Sequence, residues 1–237
     1  AAQAGVRHSI SNPEDYFDSN IVGFFNLINL SKKYKVKHFI FASTSSVYGD
    51  AKIFPTPESA NTDKPESFYA ASKKCNEVIA YSYSNSFNLP CTGLRFFTVY
   101  GPMGRPDMAL YKFVNSILNK SKISVFNKGK HIRDFTYIDD VINYLLIIIN
   151  KIPHKEIPFK IFNIGSNRPK SLNFFVSLIR KNIGTDFKIK MLNFQKGDVY
   201  KTHADNSLIK KYTKKEFYTP IDKGIKNFIL WYKKKKL

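Results

Sequence analysis

The sequence predicts an α/β protein built on a doubly wound parallel sheet, with a smaller α/β lobe attached. Three observations carry that expectation. Amphipathic stretches of helical length alternate with short apolar runs rich in strand formers, the rhythm of parallel strands joined by crossover helices. One of those runs, Val36 to Ala42, is short, mainly apolar and rich in strand formers, as expected of a buried parallel strand. A chain of 237 residues, 43% of them hydrophobic, can bury one large core, or one core and a lesser lobe sharing its cleft.

The elements follow in order. Ala1 to Arg7 reads as the end of a strand entering a loop. Pro13, an acidic first turn and apolar Phe17, Ile21, Phe24, Phe25, Leu27 and Ile28 predict a helix to about Tyr34. After the strand at 36–42, the polar stretch 44–67 holds three prolines and reads as a long functional loop. A helix over 68–87 and a strand over 91–97 follow. Beyond Thr98 the rhythm loosens: Pro102, Gly104 and Pro106 mark a turn-rich loop, then come a helix near 108–118, a strand near 123–126, a helix near 138–150 and a strand at 159–164. Phe135 and Tyr137 alternate with polar residues at strand spacing, and helices near 172–183 and 221–235 complete the chain. Residues 1–100 are expected to belong to the sheet domain, and residues 101–237 mainly to the lobe, with some segments returning to the sheet.

Composition narrows the function. The formal charge is +20, but the lysines are spread along the chain and only Lys233 to Lys236 forms a run, so a nucleic-acid interface is not expected. The excess charge suits steering of a small polyanion into a cleft. The longest apolar run, Tyr144 to Ile149, is of core length and not membrane length. Two cysteines and no basic-then-apolar leader predict reduced thiols in the cytosol, with Cys75 packing as a small apolar side chain. The histidines show no ligand spacing with cysteines or carboxylates, so no metal site is expected.

The sharpest chemical signal is Tyr69-Ala-Ala-Ser-Lys73, placed after the hydroxyl-rich strand end Ser43-Thr-Ser-Ser46. A spacing of four puts Tyr and Lys on one helix face. A tyrosinate can take a proton from a sugar hydroxyl while hydride leaves the same carbon, but a phenol titrating near pH 10 needs help to do so at neutral pH. An adjacent ammonium supplies it, and Thr44 can hold the reacting oxygen. Alone, so short a motif is most often a surface Tyr and Lys.

Context changes its weight. Phe41-Ala-Ser-Thr-Ser-Ser-Val-Tyr-Gly49, Tyr69-x-x-x-Lys73, Leu94-Arg-Phe-Phe-Thr-Val-Tyr-Gly-Pro102, Arg133-Asp-Phe-Thr-Tyr-Ile-Asp-Asp-Val141, Phe162-Asn-Ile-Gly165 and Gly197-Asp-Val199 occur in order over nearly the whole chain. Together they resemble the extended short-chain dehydrogenases of the NAD-dependent nucleotide-sugar epimerase and dehydratase group. The resemblance implies a Rossmann-type sheet, with Tyr69 as base, Lys73 as its electrostatic partner and Thr44 completing the triad. It implies NAD as cofactor, contacted by Tyr69, Lys73 and Asn20, a UDP-sugar substrate, and a homodimer pairing through the helices at 13–34 and 68–87. Dehydratases of the group carry Asp-Glu after the threonine, and related decarboxylases carry a Glu at the second position; Ser45 and Ser46 have neither carboxylate, which favours C4 epimerisation through a transient 4-keto sugar.

The loop Thr98 to Met108, with Gly5-Val-Arg-His-Ser9 and Asp18-Ser-Asn20, looks like UDP-glucuronate 4-epimerases, whose reaction gives UDP-galacturonate for cell-surface polysaccharide precursors. That resemblance puts Ser45, Ser46, Thr98 and Arg105 around the sugar carboxylate and Arg133 at the diphosphate. The alternatives are a solvated loop arginine for Arg105 and a structural pair with Asp134 or Asp139 for Arg133. Gln195 and Lys196 stand where relatives often place a basic residue for the diphosphate. The family's glycine-rich phosphate turn is not in this sequence. About eighty residues are accordingly expected to be absent upstream, leaving an apolar sheet edge and a fragment that binds NAD poorly. Open alternatives are a UDP-glucose or UDP-N-acetylglucosamine 4-epimerase, and an inactive fragment serving as an interaction domain.

Overall fold

The computed structural model describes residues 2–195 and 198–235. A single helical turn, α1 (His8–Ser11), leads to Pro13, which opens α2 (Pro13–Tyr16) with a φ suited to a helix start. The chain then widens into a π turn at Phe17–Val22 and continues as α3 (Gly23–Lys33). One helical run therefore occupies the predicted span, with a local bulge that composition does not announce. Strand β1 (Phe39–Thr44) starts where the Phe39 N–H donates to Pro90 O (2.8 Å), and it extends to Thr44, later than the apolar run alone suggests. A 3₁₀ turn (Ser45–Tyr48) follows it directly.

Helix α4 (Phe68–Phe87) begins at Ser67, whose Oγ accepts the Ala70 N–H (3.2 Å), and ends at Asn88 in the left-handed region. Next come β2 (Cys91–Phe96), β3 (Thr98–Tyr100), α5 (Ala109–Leu118), β4 (Ile123–Val125), β5 (Ile132–Arg133), β6 (Phe135–Tyr137), α6 (Ile138–Ile149) and β7 (Phe159–Ile164). The remainder supplies β8 (Lys170–Ser171), α7 (Leu172–Ile183), β9 (Ile189–Met191), α8 (Ser207–Thr213) and α9 (Ile221–Lys235).

The main sheet is parallel, in the order β1-β2-β7, with Phe41, Gly93 and Ile161 in register. Side-chain alternation splits it between two faces. Phe39, Phe41, Cys91 and Phe159 pack with Phe24 and Ile28 of α3 and Ala80 of α4. Ile40, Leu94, Phe162 and Ile164 pack with Val141, Tyr144 and Ile148 of α6 and Ile209 of α8. Helices thus cover both faces, which is the doubly wound arrangement expected. Gly93 makes the first face possible, because a Cβ there would stand 2.7 Å from the Phe41 ring.

A second core joins Phe113 and Val114 of α5, Phe135 and Tyr137 of β6, Phe175 and Ile179 of α7, and Phe228 and Ile229 of α9. Small two-stranded pairings, β3-β6, β4-β9 and β5-β8, stitch this part together. Segments of α6, β7 and α8 come from beyond residue 100 yet complete the first core. Among the described residues no helix is long and apolar enough to cross a membrane.

Candidate active site

The carboxyl end of β1 and the first turns of α4 meet where the sequence places its hydroxyls and its Tyr/Lys pair. Thr44, 6% exposed, ends the strand and caps the 3₁₀ turn: its Oγ1 accepts the Ser46 N–H (3.2 Å) and donates to Ser46 Oγ (3.2 Å). Ser45 and Ser46 are half-buried beside it. Lys73, 5% exposed, donates from Nζ to Ala42 O (3.0 Å), which pins α4 to the end of β1. Tyr69 lies one turn earlier on the same face.

Electrostatics refine the roles. Burial pushes the Tyr69 phenol up; a hydrogen bond from the Thr44 side chain and the charge of Arg105 pull it back, while Tyr16 pushes it further up. Burial lowers Lys73, so its ammonium is less firmly held than an exposed one. Thr44 and Arg105 are the groups that act downward on the phenol, and burial outweighs them. The Tyr16 ring, fully buried, meets the Tyr69 ring edge-on at 6.2 Å, and its hydroxyl donates to Gly5 O.

Asn20 sits in the π turn, 1% exposed. Its Nδ2 donates to Gln3 O (3.0 Å) and Ser72 Oγ (3.0 Å), and its Oδ1 accepts from Gln3 N (2.8 Å) and Ser19 Oγ (3.1 Å). Ser72 Oγ in turn donates to Tyr69 O (2.8 Å). Both amide hydrogens are therefore committed within the chain, joining the amino-terminal segment to the helix that bears Tyr69.

A buried ion pair that the sequence reading misses lies one turn beyond Lys73. Arg95 donates to both oxygens of Glu77 (2.8 and 2.7 Å), to Tyr48 Oη (2.9 Å) and to Glu58 O (2.9 Å), and Ser43 Oγ donates to Glu77 (2.5 Å). Burial works to lower Arg95, but Glu77 and Tyr48 hold it above its ordinary value. Tyr48 is pushed up to about 12 by burial. Tyr69, Lys73 and Glu77 form one i, i+4, i+8 stripe, so extending the spacing argument by one turn would have found this residue.

Thr98 opens β3 half-buried, its N–H donating to Asp134 O (3.1 Å). Arg105 stands in the following loop and forms a two-pronged pair with Asp107: Nε to Oδ1 at 3.0 Å and Nη2 to Oδ2 at 2.8 Å. Arg133 pairs with neither Asp134 nor Asp139; its Nη1 donates to Ile132 O (3.0 Å) and Tyr200 O (3.1 Å), and burial lowers it while Asp198 acts in the opposite sense. Nearby, Arg7 reaches Asp198 (3.3 Å) and lies over the Phe126 ring at 4.7 Å. His131, 4% exposed, has its pKa lowered by burial and then by Arg133, with Asp198 opposing and Arg7 adding a further push down. Two guanidiniums beside an aromatic face and a carboxylate could receive a nucleoside diphosphate. Arg7 and Asp198 fall in motifs quoted above, whereas nothing in the sequence marks Phe126. Gln195 is described, but Lys196 and Gly197 lie outside the described residues.

Asp134, fully buried, accepts from Ser166 N (2.7 Å), Ser166 Oγ (2.7 Å), Asn167 N (3.0 Å) and Ala204 N (2.9 Å), tying β6 to two distant loops. For a dinucleotide, the residues present suit the nicotinamide end. Lys73 keeps donors beyond its bond to Ala42, enough for a ribose diol, and Tyr69 and Thr44 stand beside it. No residue here is assigned to the cofactor phosphates.

Residues 1–165 match the model of the NAD dependent epimerase/dehydratase family. Protein CapI of Staphylococcus aureus is 44% identical over 98% of this chain and 74% of its own length. A protein of Rhizobium meliloti (strain 1021) named probable UDP-glucuronate 4-epimerase is 40% identical over 98% of this chain and 72% of its own. The crystal structure of a Bacillus cereus UDP-glucuronic acid 4-epimerase, in complex with UDP-glucuronic acid and NAD, superposes with a TM-score of 0.92 at 31% identity, covering 99% of this chain and 74% of that one. With the family match spanning residues 1–165 and relatives at 40% identity or more along nearly the whole chain, the chain belongs to the NAD dependent epimerase/dehydratase family.

Proposed function

We propose that this protein is an NAD-dependent UDP-sugar 4-epimerase, and that its substrate is UDP-glucuronate, converted to UDP-galacturonate. The observation that carries the reading is the company Tyr69 keeps: a threonine hydroxyl, two serines with no carboxylate between them, and a guanidinium close enough to act on its phenol. NAD, when bound, supplies a reversible hydride acceptor for the sugar C4. Tyr69 takes and returns the proton of the C4 hydroxyl, and Thr44 holds that oxygen. Lys73 contacts the nicotinamide ribose. Asn20 serves the cofactor side indirectly, by bracing α4 through Ser72.

Ser45, Ser46 and Thr98 offer neutral donors to the sugar carboxylate and Arg105 a planar cation. Arg133 and Arg7, the latter steadied over the Phe126 ring, receive the diphosphate. The serines at 45 and 46 lack the acid that water elimination needs, so epimerisation is favoured over dehydration. Residues 1–100 form the cofactor side, and 101–237 mainly the substrate lobe. A homodimer would pair the helical run 13–33 with α4, whose outward faces expose Phe17, Phe25, Leu27, Val78 and Tyr81.

The test is proton NMR of the anomeric region after the protein, expressed from its complete reading frame, is incubated with NAD and UDP-glucuronate. UDP-galacturonate without net NADH is the expected outcome. Conversion of UDP-glucose or UDP-N-acetylglucosamine alone would keep the epimerase and overturn the substrate. Silence on all three would leave a catalytically inactive interaction domain.

A further inference from the structure

The pairing of Arg105 with Asp107 occupies the very edge of the guanidinium that a substrate carboxylate would use. Bidentate recognition of a carboxylate employs two parallel N–H groups, and the Nε/Nη2 edge provides such a pair. Here both are committed to the two oxygens of Asp107, at 3.0 and 2.8 Å, while Nη2 also touches Met108 Sδ at 3.6 Å. Two carboxylates cannot share that edge, and like charges at that distance repel.

The pair is also easily surrendered. Its side chains are 45% and 54% exposed, so solvent screens the attraction and the pair is among the weak ones. Asp107 lies only two residues from Arg105, on a loop that turns through positive φ at Gly101 and Met103. Met103, Gly104, Arg105 and Pro106 of the loop, with Tyr111, Trp231 and Lys235, line an open hollow of about 520 Å³, which gives the loop room to shift.

We propose that Asp107 is a specificity-determining residue, an internal carboxylate that holds the Arg105 fork until the carboxylate of a uronic acid sugar displaces it. This rests on the UDP-glucuronate reading above. An acidic sugar exchanges one carboxylate for another at Arg105, and Asp107 is released to solvent. A neutral sugar leaves the internal pair intact and gains nothing from it. Asp107 therefore reduces the affinity for the acidic substrate while holding the cation in place beside the catalytic tyrosine.

The experiment compares Asp107→Asn with the unaltered protein, from the complete reading frame, by kcat and KM on UDP-glucuronate and on UDP-glucose. With the competing charge gone, KM for UDP-glucuronate should fall by about 1.5- to 5-fold, the range of a half-exposed ion pair, with kcat within about twofold and KM for UDP-glucose unmoved. A KM for UDP-glucuronate that rises or stays constant would overturn the exchange, since Asp107 would then be orienting Arg105 or irrelevant to it. Equal shifts on both sugars would overturn it too, as a loop-folding effect; thermal unfolding of the variant shows whether the loop is the cause. Absence of UDP-glucuronate turnover in the unaltered protein removes the parent reading and the exchange with it, an outcome distinct from the others.

Discussion

Replacing Glu77 by glutamine probes whether the buried pair under α4 holds the site together. The substitution keeps shape and volume, so the area term is near zero and the loss is electrostatic. Glu77 and Arg95 side chains are 3% and 5% exposed, and two short hydrogen bonds join them. Removing one charge of such a pair leaves the other buried and uncompensated, which costs about 3–5 kcal/mol. At about 2–4 °C per kcal/mol for a chain of this size, the thermal midpoint should fall by roughly 6–20 °C. Urea unfolding followed by circular dichroism, with m values compared, measures it directly. A loss under about 1 kcal/mol with unchanged m would refute the argument, because a pair that weak is solvated and cannot be the clamp that the geometry indicates. The double variant Glu77→Leu with Arg95→Met should recover part of the loss, since no charge remains stranded. Recovery stays partial because Ser43, Tyr48 and Glu58 keep polar groups that Arg95 and Glu77 now satisfy.

Three further outcomes are expected. Tyr69→Phe should lower kcat by about 10²- to 10⁴-fold with little change in KM, as removal of an acid–base group does; NMR time courses give both constants, and a variant within tenfold of the parent would reassign the base. Arg105→Ala should raise KM for UDP-glucuronate by about 10- to 100-fold, the worth of a charge-assisted bond, and leave KM for UDP-glucose unmoved, while any loss of kcat through the Tyr69 phenol falls on both sugars alike. For His131, burial and then Arg133 lower the folded-state pKa below 6.5, so the unfolded chain binds more protons as pH falls. Its contribution to stability is present above the unfolded value and is lost as pH drops toward the folded one. Urea midpoints at pH 5 and pH 7.5 should therefore differ less in His131→Asn than in the parent, and an equal or larger difference would contradict the assignment.

Much of this was legible because long elements carry their own signals. Helix α4 and strand β7 both fall on the spans predicted for them, 68–87 and 159–164. The strands β3, β5, β8 and β9 hold two or three residues each, too few for any period to register. The π turn at 17–22 escapes for a different reason: a single wide turn inside a helix leaves the amphipathic pattern almost intact. Within the site, Thr44, Tyr69 and Lys73 converge as their spacing and the strand-helix order require. The Glu77–Arg95 pair and the Arg7–Phe126–Asp198 group do not announce themselves, because their members come from separate elements and only the tertiary register brings them together. Arg105 was placed correctly in its loop, but the identity of its partner two residues away depends on the loop's turn and not on its composition.

Asp134 bears on how the cleft can move. One carboxylate gathers donors from residues 166, 167 and 204, and Arg133, the residue before it, is held through two carbonyls. Any displacement of that wall must break several charge-assisted bonds at once, so the wall behaves as a fixed jaw. The Arg105 loop, by contrast, is fastened by a half-exposed pair and lines an open hollow. Movement is therefore costly at the Asp134 wall and cheap at the loop that carries Arg105, which gives up only one weak pair.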